Sequence, residues 1–511
     1  MFTEELWTQW VQEEGENYEV ESQSSNKKRK YLKKGYLHFD PRFWFPERKN
    51  EIKALLSDPQ KIVDRAFHPF VRVKVRTPRF KYDEEIDDYR LKTKVRPICF
   101  ASHLDSLIYG FYAFGLTKKY QEYIKGGGVA SAALSYRTDL DKRCNIQFAK
   151  EAFDVIEGKG ECVAIALDIT GYFDHIDHLI LKEKWCKVLG VPQLPPDQYK
   201  IYRTLTKYSY VNKESILGHF NIDLRKIEKK PPTLLDIVEG EKDYIKFNLL
   251  RDRNLVVTNH YTERPRQFGI PQGSSLSAAL SNVYLIDYDK FMVDLAEKGN
   301  FLYRRYCDDI LLICNRTQAK KILKTASKEI EKYFLKIKSS KTEVILFTRN
   351  SKGNVRSFDL RGIEKDGVIL SEENERLYYR NFSYLGFEYN GKNIYVRSSS
   401  LSRYFRKMKS RISMTVAMAY SDKGKGRKIF KQKLYHRYTH LGKRNFLKYI
   451  YNASKEKYSN SEGDIKEGLN SVAIRKQLSR HFDILIGELK LNNSQRISYK
   501  SRKGKLRSTK C

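Results

Sequence analysis

The chain has 511 residues, more than one compact domain holds, and carries 97 lysines and arginines against 62 aspartates and glutamates, a net charge of +35. A surplus of that size points to a polyanionic partner. No apolar run reaches the ~18 residues of a membrane span, and 7 scattered cysteines without a Cys-x-x-Cys pair exclude a disulfide framework or zinc knuckle and fit a reducing cytoplasm.

Residues 1–50 are balanced, with 9 basic and 9 acidic side chains, and MFTEELWTQWVQEEGENYEV lacks the apolar core of a signal peptide. Residues 1–90 read as a separate N-terminal extension with a polar, basic linker at SQSSNKKRKYLKKGY, positions 22–36. RLKTKVRPICF, 90–100, follows as a basic strand. In CVAIALDITGYFDHI, the apolar run Val163 to Leu167 predicts a buried strand delivering Asp168 at its C-terminal end. His175 and His178, beside Asp174 and Asp177, read as polar helix-start residues rather than metal ligands. The long interval from Asp174 to Gln272, with VPQLPPDQ and LRKIEKKPPTLLDIVEGEKDYIKF, predicts an insertion around 195–262. Pro271-Gln272-Gly273 then breaks the chain. Ser274 or Ser275 is the expected N-cap of a helix whose Leu276, Leu280, Val283 and Leu285 recur at near-helical spacing. A Gly-rich turn before a helix N-terminus suits the close approach of a phosphate or a base pair.

FLYRRYCDDILLIC, 301–314, sets Asp308 and Asp309 between two apolar runs. Carboxylates do not enter a core unpaired, so this pair is expected at the tip of a strand-turn-strand, held out for a cation. Mg2+ is the natural guest, a hard ion that takes carboxylate and phosphate oxygens. With Asp168, two strand ends supply three carboxylates. Such a set can hold two metals about 3.5–4 Å apart, the clamp for the attacking and leaving oxygens of a phosphoryl transfer. From residue 401 onward 29 basic residues face 7 acidic ones, with Tyr404, Phe405, Tyr435, Tyr438, Phe446, Tyr449 and Tyr451 among them. That is the pattern of a nucleic-acid surface. A helix in this region should break at Gly424 and Gly426, and SRKGKLRSTKC, 501–511, should stay unordered until RNA or a partner binds.

ALDITGYFDHI, GIPQGSSLS, RRYCDDILLIC, LKIKSSKTEVILF and YLGFEY, in that order, resemble the palm of reverse transcriptases over roughly residues 90–395. The blocks are most similar to the bacterial branch: group II intron, retron, and abortive-infection or defence-associated enzymes. The resemblance implies an α+β right-hand polymerase, with fingers and palm at 91–395 and a helical, basic thumb and tail at 396–511. It implies Asp168, Asp308 and Asp309 as catalytic carboxylates and, with the Ile169 carbonyl, as ligands of two Mg2+ ions, Mn2+ being an alternative. Phe173 falls at the steric gate that repels a ribose 2′-OH. Gln272 would lie against the incoming nucleotide; Lys94, Arg96 and Lys341 would meet its triphosphate; Tyr384-Leu385-Gly386 would form the primer grip. Arg496, Lys500, Arg502, Lys503, Lys505 and Arg507 are the candidate RNA contacts of the tail.

The implied activity is RNA-directed DNA synthesis from dNTPs. The implied partners are an RNA template, a DNA product and, in the defence-associated group, a dedicated non-coding RNA; a homo-oligomer is compatible with the chain. An intron maturase, a retron-type enzyme and a non-enzymatic RNA scaffold are the competing readings. Phe173 and the PQG block disfavour an RNA-synthesising relative, and the three aspartates disfavour the scaffold.

Overall fold

The computed structural model describes residues 2–16, 36–83, 88–219, 233–234, 250–252, 254–259, 262–263, 266–421, 424, 428–442, 445–460 and 463–508. Helix α1 (Glu4–Glu16) leads to a long hairpin, β1 (Phe70–Asp83) and β2 (Asp88–Phe100). Valines alternate with arginine and lysine along the first half of β1, the period-2 pattern of a half-buried strand. Strand β2 lies at the sheet edge, where Pro97 needs no ladder donor. Helix α2 (His103–Gly126) and helix α3 (Asn145–Lys159) precede β3 (Cys162–Asp168). Then come α4 (His178–Leu189), α5 (Pro196–Thr206), β4 (Ser209–Asn212) and β5 (Val256–Thr258). The first sheet runs in the order β2-β1-β4-β5.

Helix α6 (Ser275–Tyr284) and helix α7 (Ile286–Gly299) feed a tight hairpin, β6 (Leu302–Tyr306) and β7 (Asp309–Cys314). Helix α8 (Arg316–Glu331), β8 (Glu343–Arg349) and β9 (Val355–Asp359) complete the second sheet, ordered β9-β8-β3-β7-β6 and antiparallel throughout. Its apolar runs are continuous because both faces are covered. Val163, Ile165, Leu167, Ile310 and Leu312 point into a core with α2, α6 and α8. Cys162, Ala164, Leu311 and Ile313 point into a second core with α3 and the C-terminal helices. Two cores sharing one sheet fix the strand register, since a one-residue slip would exchange every side chain between them.

Strands β10 (Phe382–Tyr384), β11 (Phe387–Tyr389) and β12 (Ile394–Val396) form a three-stranded sheet that leads into the C-terminal region. That region holds α9 (Ser398–Ala419), α10 (Lys431–Tyr438), α11 (Phe446–Ser454), the β13–β14 hairpin (Lys457–Ser459, Ile465–Glu467), α12 (Val472–Leu478) and α13 (His481–Ser508). Tyr404, Met408, Ile412 and Val416 make a four-residue stripe on α9 that buries against the second core, which also takes Leu485 and Leu489 of α13. Tyr404 and Tyr438 are therefore core residues rather than stacking platforms. No helix among the described residues is long and apolar enough to cross a membrane.

Four expectations need correction. The first 90 residues do not stand apart: β1 pairs with β2 across the expected boundary, and Trp10 packs edge-on against Phe45 and against Phe111 of α2 at 5.6 and 5.5 Å. The interval read as an insertion begins as core structure, because Ile201 and Leu205 of α5 are fully buried and β4 runs parallel to β1; residues 220–232 and 235–249 lie outside the described residues. The tail expected to be unordered continues α13 to Ser508. Helix α9 also stops at Ala419, ahead of Gly424, while Gly426 lies outside the described residues. Ser274 does occupy the N-cap of α6, yet its hydroxyl makes no capping bond.

The N-terminal segment is pinned by His38, which is fully buried. Its Nδ1 accepts from the Phe39 amide at 2.8 Å and its Nε2 meets the Phe100 carbonyl at 3.1 Å, a pattern that only the neutral Nε2–H tautomer satisfies. Burial pushes its pKa down to about 4; Asp40 and Asp105 oppose that shift, and His68 and His103 add to it. Below the unfolded-state pKa of about 6.5 the unfolded chain binds a proton that the native state refuses. Stability is therefore full above about pH 6.5 and falls as pH drops toward 4, by on the order of 3 kcal/mol if this group acts alone. In denaturant titrations from pH 7 to 5, His38→Gln should flatten that slope; an unchanged slope would assign it to other groups.

Candidate active site

The sheet register brings the three aspartates together. Asp168 at the end of β3 lies directly opposite Asp309 at the start of β7. Cross-strand partners share a face of the sheet, so both carboxylates open on the same side. Tyr306 pairs with Asp309, leaving Cys307 and Asp308 as a two-residue turn. Cys307 takes φ +58°, a left-handed value that an L side chain adopts only when held. Its amide donates to Ser135 Oγ at 2.9 Å and its carbonyl accepts from Arg305 Nη1 at 3.1 Å. The Asp308 carbonyl accepts from the Ile169 amide at 3.2 Å, which ties the turn to β3.

The carboxylates repel one another. The Asp308 carboxyl is raised by burial and then by Asp168. Asp309, although exposed, is pushed up to about 7 by partial desolvation among the cleft walls and by the charges of Asp308 and Asp168. The Lys341 ammonium sits on Asp168 in an ion pair and supplies part of the missing positive charge. Among the described residues no three carboxylate, imidazole or thiolate groups converge as a closed cation site. The donor set still fits a hard cation: three carboxylates and the Ile169 carbonyl, which accepts no hydrogen bond among the described residues.

These groups face a cleft of ≈ 980 Å³ that also takes in Lys94, Arg96, Phe173, Gln272, Tyr384 and Leu385. Lys94 and Arg96 alternate along β2 and are half-buried. Burial, followed by Arg96, Lys341 and Arg79, lowers the Lys94 pKa, so this wall of the cleft presents crowded positive charge. The Gln272 carbonyl accepts from the Cys99 amide at 2.8 Å, so the PQG loop is fastened to the end of β2. Gly273 holds φ +123°, and a Cβ there would come within 2.6 Å of the Cys99 carbonyl oxygen, so this close approach requires glycine. Phe173 is half-buried beside the aspartates, whereas Tyr172 points into the core with its hydroxyl on the Ser281 carbonyl at 2.5 Å. Leu385 and Gly386 turn the β10–β11 hairpin at φ +46° and +94°. The Leu385 carbonyl accepts from Asn145 Nδ2 at 3.0 Å, and the Gly386 carbonyl accepts from the Arg397 amide at 3.0 Å. Gly386 does not line the cleft. Arg496 is exposed on α13, away from the cleft, and the side chains of Lys500, Arg502, Lys503, Lys505 and Arg507 lie outside the described residues.

Residues 131–389, just over half the chain, match the profile of the family described as reverse transcriptase (RNA-dependent DNA polymerase). The chain belongs to the reverse transcriptase family. No curated protein matches the sequence. Among solved structures, apo telomerase from Candida tropicalis, truncated from its C-terminal domain, is similar at 11% identity and a TM-score of 0.35, over 73% of this chain and 63% of that one. Telomerase from Candida albicans in complex with a TWJ fragment of telomeric RNA is similar at 14% identity and a TM-score of 0.31, over 88% of this chain and 65% of that one. The chain spans less than two thirds of the length of either.

Several residues of this reverse transcriptase site are not evident in the linear motifs. Arg305, fully buried under the Cys307–Asp308 turn, is paired with fully buried Asp289 of α7. Tyr303 donates to the same carboxylate at 2.6 Å, and Asn282 Nδ2 donates to the Ser135 carbonyl at 2.7 Å. One signal was available: strand alternation puts Tyr303 and Arg305 on one face of LYRRY, and an arginine on a buried face demands a partner. Asp174 and Glu343 add two further acids to the cleft, and Glu343 accepts from the Ser383 amide at 3.1 Å, steadying the β10–β11 turn. Arg397, at the N-cap of α9, lines the cleft across from these acids.

Proposed function

We propose that this chain is an RNA-directed DNA polymerase that extends a primer with dNTPs, with Asp168, Asp308 and Asp309 holding two Mg2+ ions. The observation that carries the reading is the register pairing of Asp168 with Asp309 beside the Cys307-Asp308 turn, inside a cleft walled by cations. The ions, when bound, supply Lewis-acid stabilisation of the attacking and leaving oxygens. Lys341, which pairs with Asp168, would be available to the triphosphate once Asp168 held a cation. Lys94 and Arg96 neutralise the same phosphates from the fingers, so catalysis is largely positioning and electrostatics. The template is read by base pairing, so the protein grips only backbone and shape. The resemblance to defence-associated enzymes supports a dedicated non-coding RNA as template and an anti-phage role in a bacterial cytoplasm.

The test is extension of a DNA primer on an RNA template by the purified chain, with Mg2+ and dNTPs, followed by sequencing of the product. Template-directed DNA is the expected result. Extension with rNTPs alone, or none at all, would overturn the reading.

Phe173 gives a second check. Its half-buried ring beside Asp168 is placed to collide with a 2′-OH, so Phe173→Val should raise rNTP incorporation relative to dNTP by at least about tenfold, the scale of a steric change of one or two methylenes. Tyr172 is not a substitute gate, because it is 3% exposed and bonded into the core. Discrimination that stays unchanged in steady-state competition would remove Phe173 from this role.

A further inference from the structure

A second cleft, of ≈ 750 Å³, opens where the tip of the β8–β9 hairpin meets residues 372–381 and the tip of the β11–β12 hairpin. Arg380 lines both this cleft and the first one and so stands where the two adjoin. The lining of the second cleft is net positive, with Lys352, Arg356, Arg376, Arg380 and Lys392 against Glu372 and Glu375. Arg356 is balanced by Glu375, and Arg380 by Asp359. Lys352, Arg376 and Lys392 are exposed on its rim and have no acidic partner among the described residues. Between them stands Tyr379, 44% exposed. Its ring is fixed: it packs on Phe358 with centroids 5.3 Å apart, its hydroxyl donates to Glu375 at 2.5 Å, and the Arg356 guanidinium lies against it.

Three exposed cations around a held, partly exposed aromatic ring suit a single-stranded polynucleotide: phosphates meet the cations, and a base packs on the exposed part of the ring. An acidic peptide would use the cations but not the ring, and it has no reason to run on into the catalytic cleft. We propose that this cleft is a second nucleic-acid site of the palm, taking a single strand that passes Arg380 on its way to or from the catalytic carboxylates. The proposal rests on the polymerase reading only for the presence of nucleic acid in the first cleft.

The full-length protein can be tested by fluorescence anisotropy with single-stranded RNA and DNA of about 20 nucleotides, longer than one binding site needs, across a salt series. Lys352→Ala/Arg376→Ala/Lys392→Ala removes three phosphate contacts, each contributing about 0.7 to the salt slope of a single strand, so the slope should fall by about 2. Tyr379→Ala should weaken binding about fivefold or more at an unchanged slope, and Tyr379→Phe should restore the affinity. Equal effects on RNA and DNA mean that the backbone is read; an effect on RNA alone means that the 2′-OH is read; both support the site. Extension of a short, fully paired primer-template with a minimal overhang should be unchanged in every variant. If the triple variant keeps the wild-type affinity and slope for both strands, the proposal is overturned. Binding lost as predicted in a protein that extends no primer would instead count against the polymerase reading and leave this site standing.

Discussion

Asp308→Ala and Asp168→Ala should each lower primer extension by at least about 100-fold, since losing a ligand of a reacting metal removes several kcal/mol of transition-state stabilisation. The folded protein should lose no stability. Burial, and after it the charge of the neighbouring carboxylates, raises Asp308 and Asp309. Deleting one charge relieves that repulsion, so the melting temperature of Asp308→Ala should equal or exceed that of the parent. Asp168→Ala additionally frees Lys341, a surface-accessible ammonium that water can solvate. The pairing of outcomes is the test: lost synthesis with kept or raised stability. Residual extension above a few per cent of the parent, with the fold intact, would deny these residues their role.

Some of this architecture can be read in the chain, for a physical reason. The strands β3, β7 and β8 are buried on both faces, so they stand out as uninterrupted apolar runs with an acid at one end. Phe173 and Gln272, which line the site from the loops, are picked out by the resemblance to reverse transcriptase motifs and not by the apolar pattern. The N-terminal region is less legible because its stabilising partners are remote. Strand β1 looks like a solvated, charged edge until β2 and β4 are placed beside it. Trp7 and Trp10 carry no sign in the sequence that α2 will cover them. Composition misleads at the C-terminus, where the polar, basic stretch simply extends a helix whose Leu485 and Leu489 are already anchored in the second core. The buried polar network under the Cys307–Asp308 turn is the least legible part. Arg305 and Asp289 lie on different elements, and each looks like an ordinary surface charge in isolation.

That pair yields the largest stability effect expected in the molecule. Arg305 and Asp289 are both fully buried, and the two bonds between them measure 2.7 and 2.5 Å. Asp289→Ala would leave a guanidinium in the core with no counter-charge and would strip Tyr303 of its acceptor. Breaking a buried pair from one side costs about 3–5 kcal/mol, because the remaining charge stays desolvated. Removing both charges together, as Asp289→Met/Arg305→Met, should cost much less, since an apolar pair of similar volume fits such a site. Arg305 also holds the Cys307 carbonyl, so the double variant should fold yet polymerise poorly: the turn at φ +58° loses its support from below. Denaturant unfolding of both single variants and the double gives the coupling energy directly. A loss under about 1 kcal/mol for Asp289→Ala would mean that water or another anion reaches Arg305. Full activity in the folded double variant would mean that Ser135 and the Ile169–Asp308 bond are enough to set the catalytic turn.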